Sequence, residues 1–338
     1  RLKLSFIINN LNGGGAERIM SYLCNYFSKK KKYDVTLILL NGNDVFYNLN
    51  ENVKIISNSS SNGFLNNFFF LRKNLYDADV SISFTTRVNI LNIIACLITR
   101  TKSIISERTH YQNKNVSFLL RIFRFLYFFS NYVIVLSKFD LNFYKKINRN
   151  IEIITNPFEP KLKINAKREN IILNVGRLEE VKNQIFLIEA FNHCVYKYNL
   201  KKWKLVIIGD GSKKFEIERC IKKFNLENKV NLLGSISDVD LYYNKSKIYC
   251  LTSKHEGFPN SLLEAYCYGC ACISLDINTG PSEILNHRVD GILLKKDISV
   301  KNFSKELISL IRNKSLINKI HINSIKNSNK YLFNFKLS

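Results

Sequence analysis

The sequence lacks any apolar stretch as long as the roughly 18 residues that a membrane-spanning helix needs. It also shows no secretory signal peptide, because Arg1-Leu2-Lys3 leads directly into a strand-like apolar segment. Together these absences predict a cytoplasmic protein. Disorder is excluded as well, since 46 % of the 338 residues are hydrophobic and the length allows two domains of ordinary size.

Acidic residues are scarce relative to basic ones. The chain has 27 Asp and Glu against 51 Lys and Arg, which gives a net charge of +24. Such an excess favours an anionic partner, which is nucleic acid, anionic lipid or a phosphorylated substrate. The alternative is a Lys- and Asn-rich composition bias of the genome that serves no specific partner.

The cysteines do not form a pattern typical of a zinc site. Eight cysteines occur, three of them in the run CYGCAC at 267–272, but no second Cys/His pair completes a ligand set. Without a signal peptide they are expected to be reduced thiols. We interpret the run as buried small apolar residues and predict no metal there.

Apolar segments alternate with helical amphipathic patterns along the whole chain. This repetition predicts an α/β fold with parallel sheets covered on both faces. The strand candidates form two series. The first covers 4–9, 35–40, 53–57, 80–84, 102–107 and 132–137, and the second covers 171–176, 204–209, 230–234, 248–253 and 271–276.

A polar segment at 155–170, with two of the four prolines, separates the two series and is typical of a linker. We therefore expect two Rossmann-like domains, 1–156 and 157–338, with a ligand crevice between them. In open parallel sheets ligands bind beyond the carboxyl ends of the strands. The loops that follow strands should accordingly carry the chemistry.

The loop after the first strand contains Gly13, Gly14 and Gly15 and opens a helix. Glycines let a phosphate approach the backbone closely, and the free N–H groups of a helix start attract anions. The spacing is not G-x-G-x-x-G, and no acidic residue ends the next strand, so a dinucleotide site is not indicated. A plain strand-to-helix turn is the alternative.

Two loops of the second series place basic residues or glycines directly after a strand. Arg177 and Lys182 are five positions apart around a helix start, where a guanidinium fork and a point charge could clasp a diphosphate. Gly209 and Gly211 follow the next strand. The alternative for Arg177 and Lys182 is a solvated basic pair on the surface. Their position at the predicted crevice argues against that alternative.

The stretch KHEGFPNSLLEAYCYG at 254–269 places Glu256 and Glu264 on either side of a helix start that Pro259 should fix. Carboxylates bind sugar hydroxyls well because they accept two hydrogen bonds. A solvated surface position for both glutamates is the alternative. Four backbone N–H groups are expected to point out of the helix start, those of Phe258, Asn260, Ser261 and Leu262.

Taken in order, these motifs resemble those of the family 4 retaining glycosyltransferases, which have the GT-B fold. The resemblance spans nearly the whole chain, and its most specific part is the E-x(7)-E stretch with FPNSLLEA. The matching motifs are GGGAER at 13–18, NVGRL at 174–178, KNQ at 182–184, GDG at 209–211, the E-x(7)-E stretch at 256–264 and GPSE at 280–283.

The resemblance implies that the second domain holds a nucleotide-sugar donor, usually UDP-linked, and that the sugar is transferred with retention and without an essential metal or a further cofactor. Arg177 and Lys182 would grip the diphosphate, and Glu256 would contact the transferred sugar. Many relatives also have a first-domain histidine near that sugar, and His110 in SERTH is the nearest match.

The resemblance assigns the rest of the donor site as well. Glu264 would accept hydrogen bonds from the ribose hydroxyls. The backbone amides after Glu256 would contact sugar and phosphate, and the glycine loop would close over the donor. The donor-binding set is Gly13, Gly14, Gly15, Gly209, Gly211, Phe258, Pro259, Asn260, Ser261, Leu262 and Glu264.

Two features depart from the family or from the expected chemistry. Cys270-Ala271-Cys272 replaces the usual G-x-P-V after the E-x(7)-E helix, from which we expect a packing change. Asp77-Ala78-Asp79 looks like the metal-binding D-x-D of a different glycosyltransferase fold. It precedes a strand, away from the crevice, and we interpret it as structural.

The first domain should hold the acceptor. The stretches 63–76 and 116–132 mix aromatic residues with arginines at helical spacing, which favours docking on an anionic membrane surface, although ordinary core-facing helices are the alternative. Resemblance to enzymes of bacterial surface-glycan synthesis implies a polyprenyl-diphosphate-linked acceptor. We thus expect a peripheral protein at the inner face of the membrane, and a hexose or N-acetylhexosamine as the transferred sugar.

Three other functions fit parts of the sequence. A nucleic-acid-binding protein would also be basic, but no recognised module is present, so no nucleic acid partner is expected. A GT-B epimerase acting on a UDP-sugar would share the architecture and would need no acceptor. A donor-binding protein without catalysis would bind the UDP-sugar and release no UDP.

Overall fold

The computed structural model describes residues 1–12, 14–43, 45–58, 63–112, 116–158, 160–161, 164 and 167–332. The chain divides into two compact units, Arg1–Asn156 and Pro157–Ser338, called unit 1 and unit 2 below. Each unit has one sheet of parallel strands with helices in the connections.

Unit 1 has seven strands among its described residues. They are β1 (Leu2–Ile8), β2 (Tyr33–Leu39), β3 (Val53–Ser57), β4 (Val80–Phe84), β5 (Lys102–Ser106), β6 (Tyr132–Val135) and β7 (Ile151–Ile153). Its helices are α1 (Gly15–Ser28), α2 (Phe64–Leu75), α3 (Thr86–Cys96), α4 (Phe118–Phe123), the 3-10 helix Arg124–Phe129 and α5 (Lys138–Tyr144). The strand order is β3-β2-β1-β4-β5-β6-β7.

Alternating residues of β1 feed two cores on opposite faces of the unit 1 sheet. Phe6 packs in a cluster with residues of α1, whereas Ile7 packs in a cluster with residues of α2 and α3. Successive side chains of a strand point to opposite faces, so an unbroken apolar strand requires cover on both. The unbroken apolar end of β1, Phe6-Ile7-Ile8, thus explains why helices lie on both sides.

Unit 2 repeats this plan with six strands in its described part. They are β8 (Glu169–Val175), β9 (Lys204–Ile208), β10 (Val230–Leu232), β11 (Ser246–Leu251), β12 (Ala271–Asp276) and β13 (Ile292–Lys295). Its helices are the 3-10 helix Glu180–Lys182, α6 (Gln184–Lys197), α7 (Lys214–Lys223), α8 (Val239–Lys245), α9 (Asn260–Cys267), α10 (Pro281–Ile284), α11 (Val300–Arg312), α12 (Lys314–Ser328) and the 3-10 helix Asn329–Tyr331. The strand order is β10-β9-β8-β11-β12-β13.

Helix α9 is anchored at both its end and its buried side. Tyr268 is the residue that caps the C-terminal end of α9. Arg168 donates a hydrogen bond to the Tyr268 carbonyl and so satisfies one of the carbonyl groups that the helix end leaves unpaired. Tyr266 on the buried side donates to the carboxylate of Asp290, which is fully buried. This carboxylate also accepts hydrogen bonds from Asn286 and Asn327. Four neutral donors therefore hold one buried charge under the helix.

The α/β class with parallel sheets is confirmed. Eleven predicted strands are present within a few residues of their predicted bounds, and 53–57, 80–84 and 271–276 match them fully. Two further strands, Ile151–Ile153 and Ile292–Lys295, were missed because three or four residues give too short an apolar run to recognise. In the described residues no helix is long and apolar enough to cross a membrane.

The prediction of buried thiols is also confirmed. All eight cysteines are free, seven of them are buried, and Cys220 is partly buried. Cys270 donates to the carbonyl of Tyr243 at 3.1 Å, so its thiol helps to close the end of α8. Burial raises the pKa of Cys270 to about 11, which keeps this thiol protonated.

We expect Asp290→Ala to lower the free energy of unfolding by about 2–4 kcal/mol, because it leaves several buried donors without an acceptor. Asp297→Ala, at an exposed position of the same unit, should stay within about 0.5 kcal/mol of the wild type. Urea denaturation followed by circular dichroism measures both. Equal effects of the two substitutions would show that the Asp290 network does not stabilise unit 2.

Candidate functional site

The candidate site lies at the point in unit 2 where the strand order reverses. β8 and β11 are neighbours there, and the chain leaves them in opposite directions across the sheet. In doubly wound sheets this arrangement opens a crevice outside the carboxyl ends of the two central strands. Three loops meet at this edge, 176–183 after β8, 209–213 after β9 and 252–259 after β11.

The first two loops pack together through glycines. A Cβ atom at Gly209 would lie 2.0 Å from the carbonyl oxygen of Gly176, and one at Gly211 would lie 2.5 Å from that of Leu178. Both glycines also have positive φ angles, 145° and 159°, which residues with side chains rarely adopt. Gly209 and Gly211 thus allow the backbones of the two loops to cross in direct contact, which is a structural role independent of ligand binding.

An ion pair joins the loops after β8 and β11 through two predicted site residues that are 74 positions apart. Lys182 Nζ lies 2.6 Å from Glu256 Oε1, and their side chains are only 18 % and 9 % exposed. Ser253 donates to the same oxygen at 2.7 Å. The carboxylate of Glu256 is therefore held between a cation and a buried hydroxyl group, and its position in the loop is fixed.

Further hydroxyl groups hold the backbone of the same two loops. Thr252 donates to the carbonyl groups of Lys182 and Asn183, and Thr279 donates to that of Glu256. Asn183 adopts the left-handed conformation, with φ 56° and ψ 39°, between the 3-10 helix and α6. This bend turns the chain directly after Lys182.

Charged pairs continue outward from this centre. The N–H group of Lys254 donates to the carbonyl of Val181 at 2.8 Å, and its ammonium group lies 2.6 Å from Glu180. Hydrogen bonds from Lys254 and then Lys213 lower the pKa of Glu180. The loops after β8, β9 and β11 are thereby joined by both backbone and side-chain contacts.

The start of α9 differs in part from the prediction. The helix does begin at Asn260, directly after Pro259. However, the N–H group of Asn260 donates to the carbonyl of Phe258 at 3.0 Å, and that of Leu262 donates to the carbonyl of Pro259 at 3.0 Å. The expectation that both point out of the helix start is wrong, because the chain bends tightly at Pro259 and these amides close the turn.

The neighbours of α9 fix its first turn. A Cβ atom at Gly280 would lie 2.2 Å from the ring of Pro259, so only glycine allows the two loops to approach this closely. Beneath the helix, the buried hydroxyl of Tyr249 donates to Ser261 Oγ at 2.7 Å. Burial raises the pKa of Tyr249 well above its usual range, so it remains a donor.

The remaining predicted residues of unit 2 lie on the same loops and helix. Arg177 is exposed directly after β8, and its carbonyl accepts a hydrogen bond from the Gln184 side chain at 3.0 Å. Glu264 is buried in the second turn of α9. The structure thus brings Lys182 and Glu256 into contact, places Arg177 in the loop after β8 and buries Glu264 in α9.

Unit 1 contains the other predicted residues. His110 follows β5 and is buried, with Nδ1 3.1 Å from Asp140 Oδ1 and its ring against Phe139. Gly14 caps the start of α1, and its carbonyl accepts a hydrogen bond from the Tyr47 hydroxyl at 3.0 Å. Gly15 is the first residue of that helix. Gly13 lies outside the described residues, and the role of His110 in a site stays a prediction.

The suspected D-x-D motif has a structural contact. The carboxylate of Asp79 accepts a hydrogen bond from the N–H group of Lys3 at 2.7 Å, and its own N–H group donates to the Lys3 carbonyl. It lies at the amino end of β4, away from the carboxyl edge. Within the described ranges, no group of three or more His, Cys, Asp or Glu side chains is arranged to hold a metal ion.

Sequence reasoning missed the hydroxyl groups that support Glu256 and Lys182. Thr252 and Ser253 directly follow β11, and a Thr-Ser pair at a strand end is a signal that could have found them. Thr279 and Tyr249 had no such signal, because their contacts depend on how distant strands pair. These four residues position the predicted ones.

Comparisons with known proteins identify relatives of this chain. The family described as Glycosyl transferases group 1 matches residues 157–327. The Campylobacter jejuni GalNAc-alpha-(1->4)-GalNAc-alpha-(1->3)-diNAcBac-PP-undecaprenol alpha-1,4-N-acetyl-D-galactosaminyltransferase is 31 % identical over 91 % of this chain and 92 % of its own length. The amylovoran biosynthesis glycosyltransferase AmsD of Erwinia amylovora is 30 % identical over 93 % of this chain and 91 % of its own.

The chain therefore belongs to the group 1 glycosyltransferases. A solved structure of HepE from Anabaena, in complex with UDP and glucose, matches with a TM-score of 0.82 at 17 % identity, over 98 % of this chain and 96 % of that one. Such a likeness defines the fold, and the predicted GT-B fold is confirmed. Glycosyltransferase activity is the function of the family to which the chain belongs.

We expect Gly209→Ala to lower the free energy of unfolding by about 2–4 kcal/mol, because it adds both backbone strain and a clash with the Gly176 carbonyl. Gly234→Ala is the matched control. Gly234 also has a positive φ of 68°, but nothing lies within 4 Å of its added Cβ, so strain alone should cost about 1 kcal/mol. Equal losses in urea denaturation would contradict the crossing of the two loops.

We also expect Ser253→Ala to lower kcat by about 10- to 100-fold, the value of one hydrogen bond to a carboxylate. Ser253→Thr keeps the hydroxyl group and should restore most of the rate. Steady-state kinetics measures the rates, and a thermal melt shows whether the fold is intact. A normal rate in the alanine variant would remove Ser253 from the residues that position Glu256.

Proposed function

We propose that this glycosyltransferase moves a hexose or N-acetylhexosamine from a UDP-sugar to a polyprenyl-diphosphate-linked glycan, with retention and without a metal ion. The name of one relative supports the acceptor class, since that enzyme acts on a PP-undecaprenol glycan, and a second relative acts in amylovoran biosynthesis. The UDP held by HepE supports the donor class. The product would enter a surface glycan.

The contact that carries the proposal is the pair of Lys182 and Glu256 at the carboxyl edge of β8 and β11. A lysine at this edge suits an anionic diphosphate, and a fixed carboxylate beside it suits the hydroxyl groups of a sugar. When the donor binds, its diphosphate would compete with Glu256 for the ammonium group. Lys182 would then bind the diphosphate, and Glu256 would bind the hydroxyl groups of the sugar.

Arg177 and Lys182 would supply the charge stabilisation for the reaction. As the bond between the sugar and the diphosphate breaks, negative charge develops on the departing UDP, and two preorganised cations lower the energy of that state. Glu264, buried in α9, would accept hydrogen bonds from the ribose hydroxyls and so orient the nucleoside. His110 is proposed as the histidine that contacts the transferred sugar.

The acceptor implies where the protein works. A polyprenyl diphosphate is anchored in a bilayer, and the net charge of +24 favours attraction to its anionic lipids. We propose that the protein is peripheral at the inner face of the cell membrane. Nucleic acid is not a proposed partner.

We expect Arg177→Ala and Lys182→Ala each to lower turnover by about 100-fold or more, because each removes a charge that stabilises the leaving group. Arg219→Ala, at an exposed position on α7, is the control and should retain near-normal turnover. UDP release in the presence of the lipid-linked acceptor measures the rates. Near-normal turnover in both site variants would reject the diphosphate contact.

Glu264→Ala should weaken UDP binding by about 1–3 kcal/mol, because the ribose hydroxyls lose their buried acceptor. Glu218→Ala, an exposed acid on α7, should leave the affinity unchanged. Isothermal titration calorimetry gives both values. Unchanged affinity in the Glu264 variant would remove the ribose assignment.

A thermal-shift screen with UDP-, GDP-, ADP- and TDP-sugars tests the donor class. A ligand at 100 times its dissociation constant stabilises a protein by about 2.7 kcal/mol, and we expect this only for the UDP-sugars. UDP-sugar consumption without acceptor would instead favour an epimerase. Binding without UDP release to any acceptor would favour a non-catalytic protein.

A further inference from the structure

One face of unit 1 carries an unusual amount of exposed apolar surface. Helix α3 lies on the sheet there, packs against α2 on one flank and against the 3-10 helix Arg124–Phe129 on the other. The exposed side chains on these neighbours define what we call the aromatic face. They are Leu65, Phe69, Tyr76, Phe118, Leu119, Ile122, Phe125, Phe128 and Phe129.

The segment 118–129 contributes most of this surface. Helix α4 has no buried residue, and Phe118 is 77 % exposed. In the following 3-10 helix, Phe128 is 67 % exposed, whereas Arg124 and Tyr127 are buried and hold the segment on the sheet. Single exposed apolar residues are ordinary, but a cluster of this kind marks an interaction surface.

Helix α2 adds a parallel stripe. Leu65 and Phe69 are one helical turn apart, and Tyr76, directly after the helix, continues the same side. Arg72 lies between them and is also exposed. The buried side of α2, with Leu71 and Leu75, packs on the sheet, so the outer side is left for a partner.

Basic residues outnumber acidic ones around this face, where the exposed Asp77 directly follows Tyr76. The ranges 63–76, 86–106 and 116–139 contain no Asp or Glu. Their exposed basic side chains are Arg72, Lys73, Arg87, Arg100, Lys102 and Lys138. Aromatic residues beside an excess of lysine and arginine complement an anionic lipid surface, where rings enter the boundary of headgroups and acyl chains and basic groups meet phosphates.

We propose that the aromatic face binds an anionic bilayer, with Phe118, Leu119, Phe125 and Phe128 inserted at the headgroup boundary and Arg72 and Lys73 on the lipid phosphates. This inference rests on the proposed membrane-linked acceptor and names the surface that would bring the enzyme to it. Helix α4 then lies in the plane of the membrane, as interfacial helices do. The buried Arg124 and Tyr127 keep this segment attached to unit 1.

Cosedimentation of the full chain with vesicles tests the proposal. The vesicles contain phosphatidylcholine with or without phosphatidylglycerol, and the wild type should bind the anionic ones in a salt-dependent way. Phe118→Ser with Phe128→Ser should lower the partition coefficient by about 100-fold, roughly tenfold for each aromatic residue withdrawn from the lipid. Phe215→Ser, a phenylalanine of α7 with 78 % exposure, is the matched control and should bind normally.

A second pair of double variants tests the contribution of the basic residues to vesicle binding. Arg72→Gln with Lys73→Gln should lower binding to anionic vesicles by about 30-fold, because each basic residue near the surface contributes roughly fivefold. Lys31→Gln with Lys32→Gln removes two charges from the exposed run after α1, away from the aromatic face, and should have a smaller effect.

Three results would overturn the proposal. The first is normal vesicle binding by the Phe118 and Phe128 double variant. The second is loss of binding only in the Lys31 and Lys32 variant. The third is a dimer in sedimentation that the aromatic substitutions dissociate while lipid binding persists, which would make the face a contact between copies. UDP binding, followed by thermal shift in each variant, reports separately on the proposed function.

Discussion

The ion pair of Lys182 and Glu256 is the contact on which the site in unit 2 depends. It joins the loops after the two central strands, with the nitrogen and oxygen 2.6 Å apart and both side chains largely buried. A pair in this position costs desolvation energy and contributes specificity of position more than stability. Its presence at the switch point of a parallel sheet is typical of a ligand site rather than of a surface salt bridge.

The surrounding structure serves to hold that pair. Glycines at 209 and 280 allow loops to approach within contact distance, and hydroxyl groups of Thr252, Ser253 and Thr279 fix the backbone and the carboxylate. Helix α9 is anchored from below by Tyr249 and from its side by Tyr266 on Asp290. A preorganised site of this kind needs little rearrangement when charge develops during the reaction.

Much of the fold and of the site could be predicted because the signals are local. A buried parallel strand is an apolar run, and a loop follows it, so Arg177, Lys182 and Glu256 could be predicted at this edge from their positions after strands. The two missed strands, at 151–153 and 292–295, are too short to give such a signal. The E-x(7)-E stretch was specific enough to indicate the family.

The rest depended on tertiary contacts that no local pattern encodes. That Lys182 reaches Glu256 across 74 positions follows from the pairing of β8 with β11. The amides of Asn260 and Leu262 were predicted to be available, but the bend at Pro259 uses them internally. Likewise, the pattern at 116–132 fitted both a core helix and a surface helix, and only the structure distinguishes the exposed Phe128 from the buried Tyr127.

A crystal structure of the protein with UDP would show whether Lys182 binds the diphosphate. We expect a diphosphate oxygen about 3 Å from Lys182 Nζ, the ribose hydroxyls in contact with Glu264, and the ion pair of Lys182 and Glu256 broken. UDP bound elsewhere, or bound with the pair of Lys182 and Glu256 intact and both side chains turned away from it, would rule out this donor site.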